Sequence, residues 1–298
     1  MNLKFTPIAL PNQPVYHSFL SRCPRKTSDY SFVNFWGWAS AYDLEWARTD
    51  DLLWLRQNRP TRQFWAPVGD WGAVDWASYF VRFPELRAEL IRVPEPLAGV
   101  WETVFGDAVQ VFPDRDQFDY LYDAADLAKL PGNRFHKKRN LLHQFKKSYD
   151  YQYVDMSPER VGAAMAMQDN WCVWRECDSD LQLARENQAI EKVLSHWEEL
   201  DGVIGGCLLI KDAMAAYTIG ERISDDTLVI HFEKGDTAYK GIYQAVNQMF
   251  VEQATAGPDN SIRWINREQD LGDPGLRRAK ESYNPAAFLK KFRVVFKN

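Results

Sequence analysis

Three consecutive apolar runs between residues 202 and 233 constrain the fold more than any other feature of the sequence. The runs cover residues 202–211, 213–221 and 227–233, and each has the length of a strand. Lys211-Asp212-Ala213 forms a tight hairpin, and Ser224-Asp225-Asp226 forms a second turn, because Asp and Ser are typical of chain reversals. The pattern therefore predicts a three-stranded antiparallel meander.

Strands and helices alternate along the rest of the chain. A helix over residues 237–255 and a strand over 261–266 follow the meander, and a short helix over 274–282 precedes a last strand. The first 130 residues alternate in a similar way, and Leu130-Pro131-Gly132-Asn133 is the strongest boundary signal. We therefore expect an α+β protein with one domain over residues 1–130 and a second over residues 131–298.

Composition excludes several classes of protein. The 298 residues are 46 % apolar, which excludes a largely disordered chain. The net charge of −5 excludes a uniformly basic nucleic-acid-binding surface. The four cysteines are too few for a disulfide scaffold and lack the paired spacing of a zinc site, so we predict no metal. No apolar run reaches the ~18 residues of a membrane span, and the first residues lack a signal sequence. A soluble cytoplasmic protein is expected.

A strongly basic segment follows the predicted boundary. Residues 134–147 contain six basic residues and no acid, with apolar residues near helical spacing. This pattern predicts an amphipathic helix with a cationic outer face. Such a face suits a tRNA acceptor stem, the pyrophosphate of coenzyme A or an anionic surface, but a solvated helix face fits equally well. The candidate phosphate-binding residues are Arg134, Lys137, Lys138 and Arg139.

The predicted start of the 237–255 helix is a candidate donor-binding turn. Its first turn contains Tyr239, Lys240, Gly241 and Ile242. Unpaired backbone N–H groups, a lysine and a glycine that permits close approach suit a phosphate-bearing group. The alternative interpretation is that Gly241 lets the helix pack closely on the sheet.

Two groups of acidic residues are candidate proton acceptors. Asn266, Glu268 and Asp270 alternate at the end of a strand, so they are predicted to share one face. A close carboxylate pair raises the pKa of one member, which favours accepting a proton from an amine. The alternative is that these acids cap the next helix and pair with its cations. Glu233 is a second candidate base, although it and His231 also fit a satisfied core network.

The chain resembles a known family through several motifs. The longest is residues 266–280, followed by Ser282-Tyr283-Asn284-Pro285, and the others are residues 31–38, 67–69, 136–139, 231–234 and Lys240-Gly241. They resemble the tandem GNAT-fold proteins related to the C-terminal domain of phosphatidylglycerol lysyltransferase, and through them the Fem-type aminoacyltransferases. The resemblance covers nearly the whole chain.

The resemblance implies two tandem GNAT-like domains, with mixed and mainly antiparallel sheets flanked by helices, facing each other across a cleft. It implies transfer of an acyl or aminoacyl group, from aminoacyl-tRNA or acyl-CoA, to a small-molecule, peptide or lipid acceptor with an amine or hydroxyl. An acetyl-CoA-dependent N-acetyltransferase and a non-catalytic binding module are the alternatives. The substrate-binding residues that it implies are His231, Asn266, Arg267, Arg277, Lys280 and Tyr283.

Overall fold

A computed structural model describes residues 3–256 and 261–297. Its strands are short in the first part of the chain and longer in the meander. In chain order they are β1 (Thr6–Pro7), β2 (Leu44–Arg48), β3 (Leu52–Gln57), β4 (Gln63–Trp65), β5 (Val68–Gly69), β6 (Glu89–Pro94), β7 (Val109–Pro113), β8 (Asp119–Asp123), β9 (Tyr151–Asp155), β10 (Val203–Ile210), β11 (Ala213–Arg222), β12 (Thr227–Gly235), β13 (Trp264–Asn266), β14 (Ala287–Leu289) and β15 (Lys291–Phe296).

Helices separate most of these strands. In chain order they are α1 (Gln13–Leu20), α2 (Phe32–Gly37), α3 (Ala39–Tyr42), α4 (Trp76–Arg82), α5 (Glu95–Phe105), α6 (Ala124–Lys129), α7 (His136–Ser148), α8 (Pro158–Arg175), α9 (Leu181–Ser195), α10 (Ile242–Ala254) and α11 (Pro274–Glu281). A disulfide joins Cys172 and Cys177 at the end of α8. Within the described residues, none of the helices combines the length and apolar character needed to cross a bilayer.

The first of two compact units contains the chain up to Asp119, Gln269–Gly272 and the residues from Phe288 onward. Its described strands form an eight-stranded sheet in the order β1-β2-β3-β4-β6-β15-β7, with β5 paired to β3. Only β4 and β6 pair in parallel among the described strands of this sheet. Aromatic side chains fill much of its core, and Trp54 and Trp101 are fully buried. A large ring removes much apolar surface from water, which stabilises such a core.

The second unit contains Tyr120–Glu268 and Asp273–Ala287. The sheet to which it contributes has seven described strands in the order β14-β8-β13-β12-β11-β10-β9. Strands β10, β11 and β12 pair in antiparallel order, so the predicted meander is confirmed. Strand β13 then pairs with β12 in parallel.

Helices cover the two faces of this second sheet. Glu233 contacts Asn247 on α10, whereas the next residue, Lys234, contacts Glu186 on α9. Because successive strand residues point to opposite faces, α9 and α10 lie on opposite sides of the sheet. Both sheets are mixed, mainly antiparallel and flanked by helices, which confirms the predicted α+β class. The division predicted after residue 130 stays a prediction about domains.

Two predicted elements differ from the structure near the candidate site. The helix predicted from residue 237 begins at Ile242, because the preceding residues form turns that end with Gly241 in the left-handed region. The strand predicted over 261–266 is shorter and covers Trp264–Asn266 among the described residues. Both differences at the site change which backbone groups and side chains meet there.

Candidate active site in the second unit

A bulge in β12 positions His231. The β11–β12 register steps from the Ile219–Phe232 pair to the Gly220–Ile230 pair, which leaves His231 at the irregularity. Its imidazole is almost completely buried between two carboxylates. The distance from Nδ1 to Glu268 Oε1 is 2.8 Å, and that from Nε2 to Glu221 Oε2 is 3.3 Å. The structure thus brings together a buried histidine and two glutamates.

The two glutamates determine the charge of His231. Burial by itself lowers the pKa of His231, but the hydrogen bonds and negative charges of Glu221 and Glu268 outweigh it and raise the pKa to about 9. The imidazole is therefore protonated at neutral pH, and both of its N–H groups donate to carboxylates. This arrangement holds the Glu268 carboxylate in place and compensates for part of its charge.

Glu268 lies in a constrained stretch of backbone. Its φ angle is +56°, in the left-handed region that side-chain-bearing residues rarely adopt. Its backbone N–H donates to Asn266 Oδ1 at 2.8 Å, and Asn266 is fully buried. The Glu268 side chain remains 18 % exposed. Backbone strain of this kind concentrates at functional sites.

The prediction that Asn266, Glu268 and Asp270 alternate along one strand is wrong. The strand ends at Asn266, and the positive φ of Glu268 breaks the two-residue alternation. Asp270 belongs to the first unit, where it is fully buried and accepts from Arg115 Nη1 at 3.0 Å and from the Gly272 amide. It is therefore engaged in a structural ion pair.

Glu233 anchors a second polar cluster in the same unit. Its Oε1 accepts from Arg267 Nη2 at 3.0 Å, and its Oε2 accepts from Asn247 Nδ2 at 2.8 Å. Tyr283 is buried, and this burial is the main cause that raises the pKa of its hydroxyl to about 12. The Arg267 guanidinium lies 4.9 Å from the centre of the Tyr283 ring. Lys280 donates to the Arg267 carbonyl, which ties α11 to the same segment.

Most of the backbone amides of the predicted donor-binding turn already have acceptors within the protein. The backbone N–H groups of Tyr239, Lys240 and Ile242 donate within the protein, to Asp236 O, Tyr149 Oη and Tyr239 O respectively. In the described part of the chain, the amides of Gly241, Tyr243 and Gln244 have no protein acceptor. Of the four residues named from the sequence, only Gly241 thus keeps an amide available to a ligand, and the amides of Tyr243 and Gln244 join it.

Gly241 itself permits close packing of two helices. Its φ is +88°, and a Cβ atom there would lie 2.4 Å from the Leu141 carbonyl oxygen of α7. The alternative interpretation from the sequence is that the glycine lets the helix pack closely on the sheet, whereas the structure shows the close approach against α7. This glycine is therefore explained without a bound phosphate.

The basic helix is less available to an anion than its sequence indicates. Arg134 pairs with Asp126, and Arg139 donates to the carbonyls of Leu130 and Gly132, so both have structural partners. Lys137 is exposed. Lys138 is half-buried, and its Nζ lies 3.9 Å from the centre of the Tyr283 ring. Arg277 lies half-buried on α11.

Sequence reasoning missed two residues of this site. Glu221 and Asn247 are buried, and each lies within a largely apolar element, β11 and α10 respectively. A charged or amide residue in such an element is the signal that identifies them, because isolated polar groups are rarely buried without a partner. Among residues 3–256 and 261–297, no group of His, Cys, Asp and Glu forms a metal-binding cluster.

Solved structures with the same fold define the class of the protein. A conserved protein of unknown function from Bacteroides thetaiotaomicron is 30 % identical with a TM-score of 0.89, and the match covers 99 % of this chain and 100 % of that one. L-PGS from Bacillus licheniformis has a TM-score of 0.65 at 12 % identity, covering 97 % of this chain and 93 % of that one. FemX has a TM-score of 0.60 at 8 % identity, covering 98 % and 97 %. The chain is an α+β protein of two tandem GNAT-like domains, which confirms the predicted fold.

The sequence also matches a family model. The model described as phosphatidylglycerol lysyltransferase, C-terminal, covers residues 21–295. The chain therefore belongs to that family, and the resemblance inferred from its motifs is confirmed. No curated protein matches the chain.

Proposed function

We propose that this protein transfers an acyl or aminoacyl group, with aminoacyl-tRNA as the donor, to an amine or hydroxyl acceptor. Membership of a family named for a lysyltransferase supports transfer in general. The observation that carries the residue assignment is the partly exposed Glu268 side chain, whose Oε1 lies 2.8 Å from Nδ1 of the buried His231. It has the accessibility and the fixed orientation that a proton acceptor requires.

An activated ester donor needs little chemistry from the protein beyond orientation, deprotonation of the acceptor and support of the oxyanion. The acceptor nitrogen or oxygen attacks the donor carbonyl carbon, and its proton passes to the Glu268 carboxylate. The ester bond to the donor then breaks, and the leaving hydroxyl takes the proton back. His231 keeps Glu268 oriented throughout. The amides of Gly241, Tyr243 and Gln244 are the candidate donor contacts.

Glu233 has a different role in this proposal from that of Glu268. Both of its oxygens already accept hydrogen bonds, from Arg267 and Asn247. Its carboxylate is therefore engaged in holding those two side chains in place. We assign Glu233 to the orientation of Arg267, and we assign Asp270 to its ion pair with Arg115.

Substitution tests the assignment. Glu268→Gln keeps the size of the side chain but removes the base, so turnover should fall by roughly 10²-fold. Glu233→Gln should also reduce turnover, through loss of the Arg267 contact. Glu102→Gln, on the exposed surface of α5, is the matched control and should leave turnover unchanged. The assay follows labelled amino acid from a mixed aminoacyl-tRNA pool into lipid and amine acceptors. Full activity in both test variants would remove the proposed mechanism.

The identity of the donor is tested separately by thermal shift. A ligand that binds the folded state raises the unfolding temperature. A shift with aminoacyl-tRNA and none with coenzyme A supports the proposal, and the tRNA affinity should fall steeply with salt. A shift with coenzyme A alone identifies an acetyl-CoA-dependent N-acetyltransferase instead. Binding of either ligand without any transfer identifies a non-catalytic binding module.

A further inference from the structure

Two cationic side chains of the second unit contact the same buried aromatic ring. Lys138 Nζ lies 3.9 Å from the centre of the Tyr283 ring, and the Arg267 guanidinium carbon lies 4.9 Å from it. Lys138 comes from α7, whereas Arg267 and Tyr283 flank α11. The fold therefore brings an ammonium and a guanidinium together from segments far apart in sequence.

Both cations have donors that are not used. Arg267 Nη1 is buried and has no hydrogen-bond partner, although Nη2 of the same side chain donates to Glu233. Within the described residues, Lys138 Nζ has no carboxylate or carbonyl acceptor, and its contact is with the ring. A buried donor without a partner costs roughly 1–3 kcal/mol, more for a charged group. Such a cost is expected to be relieved by a ligand that accepts from both donors.

The charges around Lys138 and Arg267 indicate whether that ligand is an anion or a cation. Glu233 is the carboxylate that interacts with both Lys138 and Arg267, and its two oxygens are already occupied by Arg267 and Asn247. Lys280 adds a further ammonium at the Arg267 carbonyl, so positive charge is in excess around Glu233. Burial, with a smaller contribution from the nearby Arg267, lowers the pKa of Lys138 to about 8, although Glu233 opposes this change. An anion bound beside Lys138 would reverse this effect.

We infer that Lys138 Nζ and Arg267 Nη1 bind one oxyanion group, a carboxylate or a phosphodiester, beside the Tyr283 ring. The guanidinium offers a planar N–H donor to an oxyanion, and the ammonium adds a point charge with rotatable donors. This inference concerns ligand binding and does not rest on transfer activity.

The charge state of Lys138 reports the binding. Limited acetic anhydride labelling over a range of pH, read by mass spectrometry, measures the neutral fraction of each lysine. Lys137, the exposed neighbour on the same helix, is the internal reference in the same molecule. Acetate is the carboxylate probe, and dimethyl phosphate is the phosphodiester probe.

We expect Lys138 to titrate near pH 8 and a saturating probe to raise that midpoint. A rise of about one in pKa lowers the neutral fraction at pH 8, and so the labelling rate, about fivefold. Protection by acetate alone identifies a carboxylate site, protection by dimethyl phosphate alone identifies a phosphodiester site, and protection by both supports a general oxyanion site. If neither probe slows the labelling of Lys138 relative to Lys137, the inference is wrong.

Variants give a second readout. Dimethyl phosphate or acetate should raise the unfolding temperature of Lys137→Met as it does for the wild type, and should fail to do so for Lys138→Met. Arg267→Gln should abolish the protection of Lys138, whereas Arg263→Gln, exposed and outside the cluster, should keep it. The wild-type labelling result stands even if Arg267→Gln does not fold. An equal thermal shift in Lys137→Met and Lys138→Met would overturn the inference.

Discussion

Titration of His231 links the candidate site to the stability of the protein. Its pKa is raised to about 9 in the folded state by Glu221 and Glu268, although burial opposes this, whereas an unperturbed histidine has a pKa near 6.5. A raised folded-state pKa stabilises the fold fully below the unfolded pKa, and this contribution is lost as the pH rises through the folded value. The free energy of unfolding should therefore contain a His231 term that disappears between about pH 6.5 and pH 9.

The size of this term follows from the two pKa values. The folded and unfolded pKa values of His231 differ by about 2.5. Each pKa unit corresponds to about 1.36 kcal/mol, so the contribution to stability is roughly 3 kcal/mol. Because the imidazole is almost completely buried, solvent screening should reduce this value little. The term is large compared with the ~5–15 kcal/mol that stabilises a typical domain.

Two measurements test this reasoning. NMR of histidine-labelled protein between pH 5 and pH 10 gives the His231 pKa directly. Denaturant unfolding then compares the wild type with His231→Gln, and the difference in unfolding free energy should narrow by about 3 kcal/mol between pH 6 and pH 10. His143→Gln, on the exposed surface of α7, is the control and should show no such change. A His231 that titrates at or below pH 6.5, or a difference that stays constant with pH, would refute the assignment.

Two further substitutions, one in each unit, test the packing, and denaturant unfolding measures the effect of both. Lys291 is fully buried between two aspartates, so Lys291→Met should cost about 3–5 kcal/mol. The exposed Lys290→Met should cost little, and equal effects would contradict the buried network. Gly241→Ala should destabilise by about 1 kcal/mol or more, because its Cβ would meet Leu141 O at 2.4 Å. Gly202→Ala, also at positive φ but with its nearest contact at 4.0 Å, should cost less, and the reverse order would show that the close approach is unimportant.

Local patterns predicted the elements that carry the site but not their ends. The meander and the helix after it follow from apolar runs and turn residues, which act over a few residues. The start of α10 was wrong by five residues, at Ile242 instead of Thr237, because the intervening turns depend on contacts with Tyr149 and Leu141. Motif resemblance supplied the family, which no periodicity shows.

The hydrogen-bond and ion-pair partners of the polar residues were harder to predict from the sequence. The three acids of the 266–270 motif were expected on one strand face, and a positive φ at Glu268 prevents this. Arg134 and Arg139 counted as cationic surface, but both bind groups within their own unit. A composition pattern records which residues are charged and not which carbonyl or carboxylate lies within reach.

The α+β class, the meander and the family could be predicted from the sequence, since apolar periodicity, turn residues and motifs are properties of contiguous residues. The three-dimensional fold was needed to show that His231 contacts Glu268, 37 residues later, and that Lys138 and Arg267 contact the same Tyr283 ring. The physical reason is that these contacts depend on the bulge in β12, the parallel pairing of β12 with β13 and the packing of α7 beside α10. Each of these is a long-range arrangement that no local stretch of sequence encodes.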